Sequence, residues 1–125
     1  MKKIISTAAA PAAVGPYSQG VEASGATLYV SGQLPIDPAS GTMPDTVEQQ
    51  TEQALRNVAA ILSEAGYSLS DVVKSVVLLA DMNDFAAMNV VYARFYAKDM
   101  PARVCYEVGR LPMGARVEIE TIAVK

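Results

Sequence analysis

Residues 70–80 read "SDVVKSVVLLA". Val72, Val73, Val76, Val77, Leu78 and Leu79 put apolar, mostly β-branched side chains on both sides of an extended chain. That pattern describes a strand buried front and back, which belongs in the middle of a sheet. Working outward, Thr46 and Gln49 stand at capping-box spacing in "TVEQ". Behind them Ala54, Leu55, Val58, Ile61, Leu62 and Ala65 keep a helical period, and Gly66 follows as the C′ residue. The spacing predicts a helix over about residues 47–65. Further upstream, "GATLYVSGQLP" predicts a strand over 26–31, closed by Gly32 and Pro35, and "IDPASGTMP" is a loop of turn formers.

Downstream, Asn83 or Asp84 is expected to cap a second helix carrying Phe85, Met88, Tyr92, Phe95 and Tyr96 on one stripe. Pro101 closes the connection, and strands are predicted over 102–109 and 116–124, joined by "RLPMGA". Near the N-terminus, "KKIIS" and "YSQGVEA" supply one or two more strands. The order β, β, β, α, β, α, β, β predicts an α+β domain spanning residues 1–125, a single sheet with two helices on one face. No repeat or linker divides it. So short a chain leaves the other sheet face bare. A composition 51% hydrophobic and only 18% charged fits a face buried against another copy.

The composition also excludes chemistry. There is no histidine, so Ser-His-Asp triads, Cys-His dyads and His-based zinc sites are out. The single cysteine, Cys105, rules out an intrachain disulfide and a Cys-x-x-Cys centre. No Gly-rich phosphate loop appears. A net charge of −3, with scattered basic residues, argues against nucleic acid as a partner. The opening "MKKIISTAAAPAAVGPY" lacks the apolar core of a signal peptide, and no run reaches membrane-spanning length, so a cytoplasmic location without a membrane partner is expected.

Two strands carry the remaining chemistry. In "PARVCYEVGRLP" (101–112) the two-residue alternation sets Arg103, Cys105 and Glu107 on one face and Ala102, Val104, Tyr106 and Val108 on the other. In "RVEIETIAV" (116–124) Glu118 and Glu120 stand two apart on an otherwise apolar face. On the residues alone, a solvated face and a site are equal alternatives. If the two strands pair, Arg103 and a glutamate can converge, a planar fork for a carboxylate beside an acid or base.

These segments, with "APAAVGPYSQG" (10–20), "SGQLPIDPASG" (31–41) and "DMNDFAAMN" (81–89), resemble the Rid (reactive intermediate deaminase) family, also known as the YjgF group. The resemblance covers essentially the whole chain. "PARVCYEVGRLPMGARVEIE" (101–120) is its most specific part. It implies a chorismate-mutase-like α+β fold assembled as a homotrimer, with an inner β-barrel, helices outside and clefts between subunits. The implied activity is hydrolysis of enamines and imines such as 2-aminoacrylate and 2-iminobutyrate to 2-keto acids and ammonia, with no cofactor or metal.

By matching position, the resemblance implies that Arg103 binds the substrate carboxylate and the Cys105 backbone orients the ligand. Glu118 positions or activates water, and Tyr17, Ser31 and Asn89 line the cleft. Gly32 allows close approach beside Ser31. Glu120 is expected in a structural ion pair with an arginine, and the Cys105 side chain as wall rather than nucleophile. Tyr92, Phe95 and Tyr96 read as helix-to-sheet core. The "YAKDM" connection before Pro101 is shorter than in many relatives, which leaves the range of substrates open. The family also admits a second reading: a ligand-sensing or protein-interacting trimer, chaperone-like or a ribonuclease-type translation inhibitor, with little turnover.

Overall fold

The computed structural model describes residues 1–125. Its elements follow as β1 (Lys2–Ile5), β2 (Gly20–Ala23), β3 (Thr27–Gln33), α1 (Val47–Glu64), β4 (Val72–Leu79), α2 (Phe85–Phe95), β5 (Ala102–Glu107) and β6 (Val117–Val124), the order expected from the sequence. Four strands form a mixed sheet in the order β3-β6-β4-β5. The valine-rich β4 is interior, as its two apolar faces demanded, antiparallel to β6 and parallel to β5.

A parallel pair needs a crossover, and α2 supplies it between β4 and β5. Strand β3 also runs parallel to β4, because both are antiparallel to β6, and α1 joins them. Both crossovers step in the same direction across the sheet. A common handedness therefore puts both helices on one face. The expectation of a single sheet needs one correction: β1 and β2 pair only with each other, Lys2 opposite Ala23, and form a separate ribbon.

Local chemistry fixes the helix ends. The Thr46 hydroxyl accepts from the Gln49 amide at 3.1 Å. At the other end Gly66, at φ +80°, donates to Ser63 O, and the Tyr67 amide reaches Leu62 O at 2.8 Å, a Schellman motif. The start of α2 differs from expectation. Neither Asn83 nor Asp84 caps it with a side chain. The Asp84 carboxylate is taken by Arg116 Nη2, at 3.0 and 3.2 Å, while Asp81 accepts from the Asn83 amide and closes the turn before the helix.

Alternation divides the sheet cleanly. Val77, Leu79, Val117, Ile119 and Ala123 meet Leu55, Val58 and Leu62 of α1 and Met88, Tyr92 and Tyr96 of α2 in one core. The far face has no cover. Tyr29, Val104 and Tyr106 are exposed there, with half-buried Val76, Leu78 and Ile122 between them.

Candidate active site

Register places the two charged strands. Arg103 pairs with Ser75 of β4, and Ser75 with Thr121 of β6, both buried on the helix side. Glu118 pairs with Leu78, three residues along β4 from Ser75 and therefore on the opposite face. Strands β5 and β6 do not adjoin, since β4 runs between them. Two expectations are thereby corrected. Arg103 and Glu118 do not meet on adjacent strands, and the 110–115 turn does not return them to one cleft within a chain. Glu120, exposed on the open face, makes no ion pair; the two ion pairs are Arg116–Asp84 and Arg56–Glu52.

Around Arg103 a compact cluster forms. Its Nη1 donates to Asn89 Oδ1 at 2.7 Å. The guanidinium carbon lies 4.8 Å from the Tyr92 ring centre, 5.4 Å from Tyr17 and 5.8 Å from Phe85, all within cation–π range. Phe85, Asn89 and Tyr92 stand at i, i+4 and i+7 on α2, so one helix stripe faces one strand residue. Tyr17 arrives from a distant loop, which is tied down beside it. The Ser18 amide donates to Pro101 O at 3.1 Å and its hydroxyl to Met100 O. Gln19 holds the rest of the loop, giving Nε2 to Pro11 O at 2.7 Å and accepting from the Thr7 amide at 2.7 Å.

Cys105 is half-buried next along β5, opposite Val77. Burial pushes its thiol up, and the Arg103 charge pulls it back only in part, so the side chain is a poor nucleophile near neutral pH. Its amide is better placed. Val108 N bonds inward to Leu79 O, and by alternation the Cys105 N–H points out from the free edge of the sheet.

The other expected residues gather elsewhere. Ser31 and Gly32 are exposed on β3, and Gly32 approaches the Glu118 side chain so closely that a Cβ there would collide with its carboxylate. Tyr17, Asn89, Arg103 and Cys105 thus form one cluster, and Ser31, Gly32 and Glu118 another on the opposite face. Phe85 and Tyr92, which complete the cluster around Arg103, read as core from their helical stripe alone. Adding Asn89 to that stripe is the signal that finds them. The largest cleft, about 590 Å³, is lined by Lys2, Ile4, Ser70, Lys98 and Asp99 and contains none of these residues. No cluster of three or more His, Cys, Asp or Glu side chains is close enough to hold a metal ion, and no helix is long and apolar enough to cross a membrane.

A family model described as endoribonuclease L-PSP matches residues 7–125. The chain belongs to this family, the Rid group. Among Rid-group relatives, a goat (Capra hircus) protein named 2-iminobutanoate/2-iminopropanoate deaminase is 53% identical over 126 residues, covering 100% of this chain and 91% of its own. A Salmonella typhimurium protein of the same name is 46% identical, with 100% and 99% covered. The crystal structure of Escherichia coli TdcF with bound serine superposes with a TM-score of 0.78 at 44% identity, over 98% of both chains.

Proposed function

We propose that this protein is a 2-iminobutanoate/2-iminopropanoate deaminase, hydrolysing small 2-imino acids and their enamine tautomers to 2-keto acids and ammonia. The observation that carries this reading is Arg103: half-buried, oriented by Asn89, and without a carboxylate partner of its own. A guanidinium held so and left unneutralised suits a small carboxylate ligand. The names of the full-length relatives support the same reading.

The two half-sites complete each other when chains associate. We assign the bare face with Tyr29, Val104 and Tyr106 to the interior of a homotrimer, with a β-barrel lined by the three sheets. In each cleft Arg103 of one subunit then faces Glu118 of a neighbour. Arg103 anchors the carboxylate, and the outward Cys105 amide orients it. Tyr17 and Asn89 wall one side, Ser31 and Gly32 the other.

The chemistry needs little more. A protonated 2-imine is already electrophilic at C2; an enamine reaches it by taking a proton at C3. Glu118 accepts a proton from water as the oxygen bonds to C2, giving a carbinolamine. Returning that proton to nitrogen lets the C–N bond break; as ammonia leaves, Glu118 takes the hydroxyl proton, the C2 carbonyl forms, and the proton passes to the departing ammonia as ammonium. Fixing the carboxylate and the water at the required separation supplies the rate. The test is 2-keto-acid release in a coupled threonine-dehydratase assay. Arg103→Ala and Arg103→Lys are expected to abolish the acceleration while the trimer persists, and activity equal to the parent would sink the assignment. The family description also raises RNA cleavage; the −3 charge weighs against it, and cleavage lost on Arg103→Ala would revive it.

A further inference from the structure

We propose that Tyr92 is a positioning residue for Arg103, its buried ring acting as the floor on which the guanidinium lies. This rests on the deaminase reading only for its kinetic consequence; the placement itself does not. Three ring faces surround the guanidinium, and Tyr92 is the nearest, at 4.8 Å. It is also fully buried, unlike Tyr17 and Phe85, so its orientation is fixed by packing. Asn89, three residues earlier on the same helix, holds the guanidinium edge at 2.7 Å. The Tyr92 hydroxyl is buried near Ser75, the residue opposite Arg103 in the β4–β5 register, though no hydrogen bond joins the two. Tyr96 lies against the Tyr92 ring, ring centres 4.8 Å apart and the rings tilted by 38°.

The choice of partner matters. A carboxylate would hold Arg103 more strongly, but an incoming substrate carboxylate would have to displace it. Ring faces orient the cation and leave its charge available. The floor therefore acts on substrate capture, and through it on KM, rather than on the attack of water.

Two measurements test this. In the free parent protein, NMR is expected to find the Arg103 side-chain protons shifted by ring current, with the shift lost in Tyr92→Leu and kept in Tyr92→Phe. With 2-iminobutanoate generated in situ, Tyr92→Leu is expected to raise KM about tenfold with a much smaller change in kcat, and Tyr92→Phe to recover most of that loss. Arg103 protons at their ordinary positions in the parent protein would overturn the proposal, even if Tyr92→Leu failed to fold. So would a folded Tyr92→Leu with unchanged KM. A ring-current shift in a protein that turns over no 2-imino acid would keep the placement and remove the deaminase reading instead.

Discussion

Arg103 and Glu118 lie on opposite faces of one sheet, with the whole of β4 between their strands. If they act in one reaction, they do so from two chains. This makes subunit complementation the sharpest test. Arg103→Ala and Glu118→Gln, each inactive alone, are unfolded together and refolded as mixed trimers. A cleft works when one neighbour brings an intact Arg103 and the other an intact Glu118. At equal mixing that has a chance of one half times one half, so activity is expected to return to about one quarter of the parent level. No recovery in verified mixed trimers would place both groups in one chain's site, or one of them outside it.

Gly32→Ala should separate catalysis from stability. The added methyl would press on the Glu118 carboxylate, with Cδ only 3.0 Å away, and the flexible end of that side chain would swing aside. The melting temperature is expected to stay within about 2 °C, since a flexible side chain gives way cheaply. The deaminase rate is expected to fall at least about tenfold, because the water is no longer held in place. An unchanged rate would remove Glu118 from the chemistry.

Asn89 offers a graded test of the free charge on Arg103. Asn89→Ala removes a 2.7 Å hydrogen bond, and KM is expected to rise about three- to tenfold. Asn89→Asp puts a carboxylate where the amide was, and substrate must compete with it. The rise in KM is therefore expected to be larger for aspartate than for alanine. The reverse order would mean that Arg103 does not need an open charge.

Alkaline titration reads the buried tyrosines. Burial pushes the Tyr92 hydroxyl up to about 12, against the opposing pull of Ser75 and Arg103, and burial also raises Tyr96. In the folded state both hold their protons more tightly than in the unfolded chain. Their stabilisation is complete below the unfolded value of 10.0 and falls as pH rises above it; the Tyr92 part is lost by about 12, and the Tyr96 part goes on falling beyond that. Urea midpoints are expected to ease above pH 9, where the raised Cys105 thiol contributes, and to drop more steeply beyond pH 10, in step with phenolate absorbance. Tyr92→Phe should roughly halve the drop between pH 10 and 12, leaving the part due to Tyr96. A midpoint independent of pH between 10 and 12 would contradict the burial of these hydroxyls.

Much of this was legible in the residues. The two-sided apolar run of β4, the Thr46 cap and the Gly66 stop act locally, so helix and strand positions follow from spacing alone. The face assignment of Arg103 on β5 follows from alternation. Strand order does not. Nothing local to residues 102–107 or 117–124 says that β4 will lie between them; the parallel β4–β5 pairing made by the α2 crossover decides it. The same holds for β1 and β2, whose ribbon depends on pairing partners rather than on composition. Phe85 and Tyr92 hid because a ring that packs on a sheet and a ring that packs on a guanidinium carry the same helical spacing.

The crossover that obscured strand order also compresses the arginine half-site. Phe85, Asn89, Tyr92, Arg103 and Cys105 fall within one continuous helix–strand cassette, and only Tyr17 is brought in from afar, on a loop moored by Ser18 and Gln19. Anchor and aperture are therefore separable. Changes in residues 6–13 can reshape the loop while Tyr17, Ser18 and Gln19 keep the Arg103 cluster in place, so on the deaminase reading loop drift alone could change which imine enters.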